Sequence, residues 1–533
     1  MPRIICGLAI VGLVLSLLAA SAAARFAPSA KPQPTRPKPG QVPPVVPPVP
    51  PPVPPPSAPP AAPKGPEPLE AGYVRLFDGK DLMGWDADLE YWSVKDRAIR
   101  GEVTTAKMPR ESTACVMQLN PLRDFILRFK FRVTAGVCGV VYRCRDVGNR
   151  RVSGYTAEIS GVPGSVGLLT HEGRGVLANV GEFAIIDSDG KRQVPGAVAD
   201  KAALAQVNYY KDKGSDETPA WNDYTIIARG NHLVHFINGY QTVELIDNDT
   251  TGRDLEGGLA FQIRPGLPTT VEIKDIRARR LKGDFGDAAR LFSGKNLSGW
   301  TLSSDALKDT FGAKDGVLTV SGAPSGYLRT TQDFASYVLS LQVRHVGPGG
   351  GSVLLRLIGP DKIWPRAIEC QMQPGSMGDV ASLGDFPMSP APTRTANPPA
   401  ARPQADERPP GGAPMSAAQR WSATPPAAKP QAGQRAPGGS TMTPAPPRTA
   451  DPQAAKPQGS ERAPGEWNRV EVMLDGGNLE VAVNGLVRGT ATECQDTPGR
   501  IGLASKGGAV EYRNIVLVPI LREDAAPAAA GGQ

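Results

Sequence analysis

The chain has 533 residues, with 59 Lys+Arg against 52 Asp+Glu, a formal net charge of +7, 40% hydrophobic residues and 55 prolines. That positive charge has a location: Arg3, five basic against one acidic residue in 25–68, and nine basic against four acidic in 388–465 leave the remainder of the chain near −3. A nucleic-acid domain concentrates positive charge on a folded face, so that function is set aside, and adhesion of the basic tracts to an acidic envelope surface stays open.

Arg3 precedes an apolar run over 4–20 and then Ala22, Ala23 and Ala24, the charge, core and small-residue order of a secretory signal peptide. Cleavage is expected after Ala24, which implies a secreted or periplasmic, cell-envelope protein. A retained anchor is the competing reading, because the run lies near the lower limit of roughly 17 apolar residues for a spanning helix. No second segment approaches that length, so no membrane span is expected after cleavage. Residues 25–68 are mostly proline and small residues and predict a disordered, extended polyproline II linker.

Next comes Leu76-Phe77-Asp78-Gly79-Lys80-Asp81-Leu82-Met83-Gly84-Trp85, which returns as Leu291-Phe292-Ser293-Gly294-Lys295-Asn296-Leu297-Ser298-Gly299-Trp300. The tryptophans are 215 residues apart, too far for a solenoid repeat and suited to two copies of one domain. The correspondence keeps its order along the chain. Residues 92–96 answer to 311–315, 125–132 to 337–344, Trp221-Asn222 to Trp467-Asn468, Asn238-Gly239 to Asn484-Gly485, and 271–276 to 510–515.

Segments 125–133, 137–143, 224–228, 233–237 and 255–263 are short, rich in branched and aromatic residues, and separated by Gly, Asn or Asp. Only 199–206 looks locally helical. Many short strands with turn signals between them predict an all-β sandwich or jelly roll in each copy. Within the second copy, Ala400-Ala401-Arg402-Pro403-Gln404 recurs at 427–431 and 454–458, a 27-residue period in a Pro/Ala/Arg-rich tract over about 388–465 that is expected to be disordered. The expected organisation is a signal peptide at 1–24, a linker at 25–68, a first domain at 69–283 and a second, divergent domain at 284–533, interrupted by that tract.

Of six cysteines, no pair has close CxxC spacing. Export would permit oxidation, and Cys370 with Cys494 is the pair available inside the second copy, so a bridge there is one expectation. Cys115 and Cys138 read as buried apolar thiols.

The opening motif, the Gly139-Val140-Val141-Tyr142-Arg143 segment, Gly154-Tyr155, Trp221-Asn222, the run 230–239 and the closing strands resemble the 3-keto-disaccharide hydrolase domain family. The resemblance spans about 73–282 and, more weakly, 289–521. It implies two tandem concanavalin A-like β-sandwich (jelly-roll) domains whose concave face holds carbohydrate. It also implies a chemistry. A ketone at carbon 3 of a glucoside acidifies the proton on carbon 2, so a base removes it, the glycosidic oxygen leaves, and water adds back. Such a site needs a base, a stabiliser for the enolate oxygen and a donor for the leaving group. Arg or a divalent metal is the candidate stabiliser, with the metal ligands unknown.

Carried onto this sequence, the resemblance offers Glu158, Arg143 and His171 as catalytic candidates and Tyr155, Thr156, His235, Asn238 and Gln262 as substrate-binding candidates. Thr156 stands where the family has Glu, Glu158 where it has Gln, and Arg264 near an expected His. Thr156 and Glu158 share one strand face and Tyr155, Ala157 and Ile159 the other. The second copy keeps Glu369, Gln371 and Arg356, yet has the repetitive tract in place of the loops beside His171. Each candidate has a plainer reading. Glu158 with Arg143 also reads as a structural ion pair, His171 as a solvated loop histidine, and His235 as a hydrogen-bonded structural group. His232 and His235 have opposite parity and cannot both face one metal from that strand. Trp85, Trp92 and Trp221 read as core, with a sugar-stacking plate open for one of them. The resulting expectation is an exported protein whose first domain cleaves 3-keto-glycosides. A non-catalytic carbohydrate-binding or surface-interaction protein is the alternative, and a structural envelope protein the third reading.

Overall fold

The computed structural model describes residues 69–118, 121–161, 165–199, 204, 220–390 and 461–522. The expected signal peptide, the linker at 25–68, nearly all of the helical segment at 199–206 and the 27-residue repeats lie outside the described residues. All of these described residues belong to one compact unit. Among the described residues no helix is long and apolar enough to cross a membrane.

Two β-sandwiches follow one another within this unit. In the first, the larger sheet runs, in spatial order, Arg192–Ala197, Glu182–Ile186, Tyr240–Asp247, His232–Ile237, Asn222–Arg229, Phe125–Ala135, Thr269–Arg280, Ala98–Val103 and Trp92–Lys95. The smaller sheet runs Gly175–Ala178, Leu169–His171, Val152–Ser160, Val137–Asp146, Gly258–Ile263, Thr113–Met117 and Trp85–Ala87. The second sandwich repeats the central order: Val510–Leu521, Tyr337–His345, Asn468–Asp475 and Asn478–Val483 in its larger sheet, and Gly326–Thr330, Arg500–Ser505, Gly351–Ile358 and Arg366–Met372 in its smaller. Alternation supplies both cores. Leu127, Phe129 and Phe131 face Val140, Tyr142, Ala157, Ile159 and Phe261 in the first, and Leu339, Leu341 and Val343 face Val353, Leu355, Ile368 and Leu503 in the second.

The duplicated opening motif is a device for seating a tryptophan. Gly79 and Gly84 take φ of 84° and 83°, and Gly294 and Gly299 take 80° and 83°. Asp78 and Asp81 accept from the amides of Lys80 and Met83, roles that Ser293 and Asn296 fill in the second copy. The turn returns the chain so that Trp85 Nε1 donates to the Leu76 carbonyl at 3.0 Å and Trp300 Nε1 to the Leu291 carbonyl at 2.7 Å. Both indole rings are then buried in their cores, as Trp92 is. Trp221 instead lies outside the first core, against Lys274 at 3.9 Å and Arg132 at 4.7 Å.

The cysteine expectation needs correction. Cys370 and Cys494 are both free and buried in the second core, so the expected bridge is absent. Cys115, Cys138 and Cys144 are likewise buried free thiols, and burial pushes Cys138 up to about 12. These side chains occupy apolar positions as small hydrophobes.

The two sandwiches meet through buried polar groups. Arg229 grips Glu471 with two hydrogen bonds of 2.9 and 2.5 Å, and the fully buried Glu244 accepts from Arg469 at 3.2 Å beside His232 at 2.8 Å. Gln342 Nε2 donates to the Val198 carbonyl at 2.6 Å, and Asn514 Nδ2 to that of Ala197 at 2.8 Å. Burial raises the Glu244 pKa, but Arg469, His232 and Gln241 outweigh it and hold the carboxyl at about 2.

Candidate functional site

The inward side chains of the first sandwich's smaller sheet are spent on the core, so its outer face carries the complementary set. Register aligns Glu158, Gly139, Gln262 and Ala114 in one row across four strands, and Thr170, Thr156, Val141, Ala260 and Val116 in the next. Three predicted residues therefore share one surface: Glu158, Thr156 and Gln262. Between Glu158 and Gln262, the Thr156 methyl occupies the space over Gly139, where a Cβ would lie 2.6 Å from it. Arg264, two positions beyond Gln262 and of the same parity, brings its guanidinium to 3.8 Å from the Glu158 carboxylate. Ala114, Val141 and Ala260 lie beside this pair in a buried apolar cluster with Cys144 and Val152.

The other five predicted residues lie elsewhere, each for a visible reason. Arg143 does not pair with Glu158. A bulge after Tyr142, with Arg143 at φ 49°, breaks the alternation and turns its side chain into the end of the sandwich. There it donates to the carbonyls of Arg123 at 2.8 Å and Gly230 at 2.6 Å and meets Asp124 at 3.3 Å, with the residue 1% exposed. Arg356 repeats this, with φ 47°, bonds to the carbonyls of Gln495 and Ala335, and Asp496 at 2.8 Å. The arginine retained in both copies is a structural post.

His171 and Tyr155 are register partners on the inner side of the same sheet. His171 is no solvated loop residue: it is buried, with Nε2 2.7 Å from Asp254 and Nδ1 2.7 Å from the Glu172 carbonyl. The Tyr155 hydroxyl donates to Asp247 at 2.6 Å, and Arg174 clasps the same carboxylate. His235 points into the core from the larger sheet, its ring between the hydroxyls of Tyr142 at 2.9 Å and Tyr224 at 3.1 Å. Burial drops its pKa to about 3, so the ring is neutral. Asn238 closes a hairpin turn, accepting from the Asp223 amide and donating to Asn222, and Asn484 does the same with Arg469 and Asn468. Among the described residues no group of three His, Cys, Asp or Glu side chains is placed to hold a metal ion.

The second sandwich carries the counterpart of the Glu158 face. Gln371 lies opposite Ser352 as Glu158 lies opposite Gly139, which puts Glu369 at the position of Thr156 and Lys506 at that of Arg264. Lys506 Nζ and the Ser352 hydroxyl both bond Glu369 Oε1 at 2.5 Å. Trp364, 53% exposed, stands beside them with Lys506 Nζ 5.5 Å from its ring centre. The sequence marks Glu369 and sets Arg264 near an expected histidine without a role, and it passes over Lys506; the signal available was parity, two residues past the row of Gln262 and Ala504.

A family model described as the 3-keto-alpha-glucoside-1,2-lyase-like domain matches residues 72–279 and again 287–518. The chain belongs to this family, twice over. No curated protein matches the sequence. Among solved structures it is similar to a candidate glycosyl hydrolase from Parabacteroides distasonis ATCC 8503, at 18% identity over 39% of this chain and 99% of that one with TM-score 0.26. It is also similar to the carbohydrate-binding module CBM66 from Bacillus subtilis, at 11% identity over 39% and 94% with TM-score 0.21. A third is the GlcNAcα1-4Gal releasing endo-β-galactosidase from Clostridium perfringens, at 9% identity over 60% and 95% with TM-score 0.23.

Proposed function

We propose that this is an exported, carbohydrate-active member of its family whose first sandwich cleaves 3-keto-glycosides on the face bearing Glu158, Thr156, Gln262 and Arg264. The observation that carries the reading is the recurrence of one couple, a carboxylate with a cation from the closing strand, on the same face of both sandwiches. It persists as Glu158 with Arg264 at 3.8 Å and as Glu369 with Lys506 at 2.5 Å, although the carboxylate has moved by two residues and the cation has changed type. A pair held only for stability on a sheet surface contributes little, about 0–1 kcal/mol.

In this reading Glu158 takes the proton from carbon 2 of the keto sugar, and the Arg264 guanidinium lies where negative charge grows on the ketone oxygen. The electron pair left on carbon 2 becomes the carbon 1 to carbon 2 double bond as the glycosidic oxygen departs. That oxygen takes up a proton, for which protonated Glu158 is the local donor. Water then adds across the double bond to give the free 3-keto sugar. Gln262 and Thr156 offer hydrogen bonds to sugar hydroxyls beside Glu158.

A second reading, carbohydrate binding without cleavage, is favoured for the second sandwich by Trp364. An indole 53% exposed beside a carboxylate and an ammonium is a plate for a sugar ring, while the two 2.5 Å bonds to Glu369 leave that carboxylate engaged. The test is release of 3-keto-glucose from a 3-keto-glucoside by the full chain. Glu158→Gln is expected to lower kcat roughly 10²–10⁴-fold, the usual contribution of a general base. Unchanged turnover in Glu158→Gln rules this face out as the site of cleavage.

A further inference from the structure

The outer face of the first sandwich's larger sheet is built against its own stability. Its two central strands, Phe125–Ala135 and Thr269–Arg280, set Arg128 directly opposite Arg277 and Lys130 directly opposite Lys274, with Arg279 next along. Like charges in facing positions repel, and one such pair is unfavourable in a sheet. Here there are two in succession. Glu70 offsets part of the charge, at 2.5 Å from Arg128 and 3.6 Å from Arg277, and Asp223 lies 3.9 Å from Lys130 while Lys274 sits over the Trp221 ring. The Nε of Arg279 is buried with no hydrogen-bond partner, its guanidinium lying 5.7 Å from the Tyr73 ring centre. Lys274 has its pKa lowered, first by burial and also by Lys130 and Arg132, with Asp275 opposing.

The sheet framework forms without these cations, in a copy whose counterpart face is covered by the first sandwich, with Val516 packed on Phe183 and Val198 and Gln342 bonded to the Val198 carbonyl. The second sandwich, in the same register, has Ser340 opposite Val516 where Arg128 faces Arg277, Gln342 opposite Arg513 where Lys130 faces Lys274, and Val518 in place of Arg279. One copy has one cation at these five positions; the other has five.

The basic row opens into a cleft of about 460 Å³ between the sandwiches. Arg128, Arg277, Arg279 and Tyr73 form one wall together with Glu70 and Asp223, and the second sandwich supplies the other with Glu471, Glu480 and the exposed Leu486 and Val487. That volume is within the range of about 300–1,000 Å³ usual for small-ligand sites. The two walls ask for a mixed ligand: arginines for a carboxylate, which guanidinium binds in bidentate fashion, a carboxylate in Glu480 for hydroxyls, and apolar surface for the flat side of a sugar ring. Glu480 and the neighbouring acids make the cleft unsuited to a dense run of phosphates, which favours one charge per sugar unit.

We propose that this cleft binds a carboxylated polysaccharide segment, a chain of uronic-acid sugars, at a site separate from the Glu158 face. The chain is held by Arg277 and Arg279 through sugar carboxylates and capped by the hairpin bearing Leu486.

Calorimetric titration of the full chain with trigalacturonate, maltotriose and a short single-stranded DNA tests this. Trigalacturonate binds, maltotriose does not, and affinity falls as salt rises. The double variant Arg277→Val and Arg279→Val, which installs the second copy's residues, weakens trigalacturonate at least tenfold and leaves 3-keto-glucoside turnover unchanged. Because that variant relieves repulsion, its melting temperature does not fall. Leu486→Asp, on an exposed tip, independently weakens the same titration. Undiminished trigalacturonate binding in both variants, equal binding of maltotriose, or DNA binding tighter than trigalacturonate overturns the proposal.

Discussion

The interiors of the two sandwiches differ more than their frames. In the first, Tyr142, His235 and Tyr224 form a hydrogen-bonded chain through the core, and Tyr155, stacked on Tyr142 at 5.6 Å, donates to buried Asp247. At the matching positions the second sandwich has Leu355, Val481, Val470 and Ile368, all buried and apolar. The register, the arginine post, the tryptophan turn and the asparagine hairpin survive in both. The fold therefore needs those four devices and does not need the tyrosines and histidine. Buried polar groups are stable only when satisfied, and an apolar core does the same work with less to lose. Keeping them under the sheet that carries Glu158 is a feature of the first copy alone.

This comparison can be broken at several points. The largest effect is expected where the copies agree. Arg143→Met takes the guanidinium from buried Asp124 and the donor from several carbonyls, and should cost about 3–5 kcal/mol in denaturant unfolding. Arg356→Met strands carbonyls in the same way, but its partner Asp496 is exposed and also bonded to Arg522, so its loss should be smaller. A large loss in one and none in the other would mean the two arginines are not the same device.

Where the copies differ, single and combined changes should part. His235→Val alone takes the hydrogen-bond partner from the Tyr142 hydroxyl and one partner from that of Tyr224, and should cost about 1–3 kcal/mol. The triple variant Tyr142→Leu, Tyr224→Val, His235→Val reproduces the second core and should recover most of that loss. If the triple variant is as unstable as the single one, the second sandwich is no guide to the first.

pH separates them further. The His235 pKa falls from an ordinary value near 6.5 to about 3 on folding. Below pH 6.5 the unfolded chain binds a proton that the folded chain refuses, so this group makes stability fall as pH drops from 6.5 towards 3. The triple variant should show a shallower decline over that window. Glu244 acts lower down. Its folded pKa of about 2 is depressed, so its contribution is present above the ordinary value of 4.5 and is lost as pH falls through 2. Amide exchange along Tyr240–Asp247, at the contact between the sandwiches, should accelerate over that second window in the wild type. The smallest effect is expected from Gly139→Ser, which gives the first site the second copy's residue. It should raise KM a few-fold with kcat little changed, because the added atoms meet Thr156 rather than Glu158.

The tandem and the all-β class were legible in the sequence because they rest on repetition and alternation. The strand at Phe125–Ala135 and the opposite parity of His232 and His235 followed from period two. Thr156 and Glu158 were placed on one face for the same reason, whereas Gln262 came from the family resemblance and only the register put it beside them. Arg143 was not legible as a post, because a bulge cancels parity and a bulge leaves no mark in composition. His171 and Tyr155 were misjudged because parity says which residues share a face but not which face is buried. The contact between the sandwiches was invisible, since Arg229, Glu244, Arg469 and Glu471 look like ordinary strand-surface charges until the second domain covers them. The Cys370 and Cys494 bridge was drawn from compartment and counting, and both thiols proved to be filling a core.

The central claim is that the two faces have parted, the first to react and the second to hold. Steady-state kinetics of Glu158→Gln and Glu369→Gln, measured side by side on a 3-keto-glucoside with the full chain, tests it most directly. The account predicts a collapse of kcat in Glu158→Gln and an unchanged kcat in Glu369→Gln. The reverse result, loss of turnover in Glu369→Gln with Glu158→Gln intact, would contradict it and move the reaction to the second sandwich.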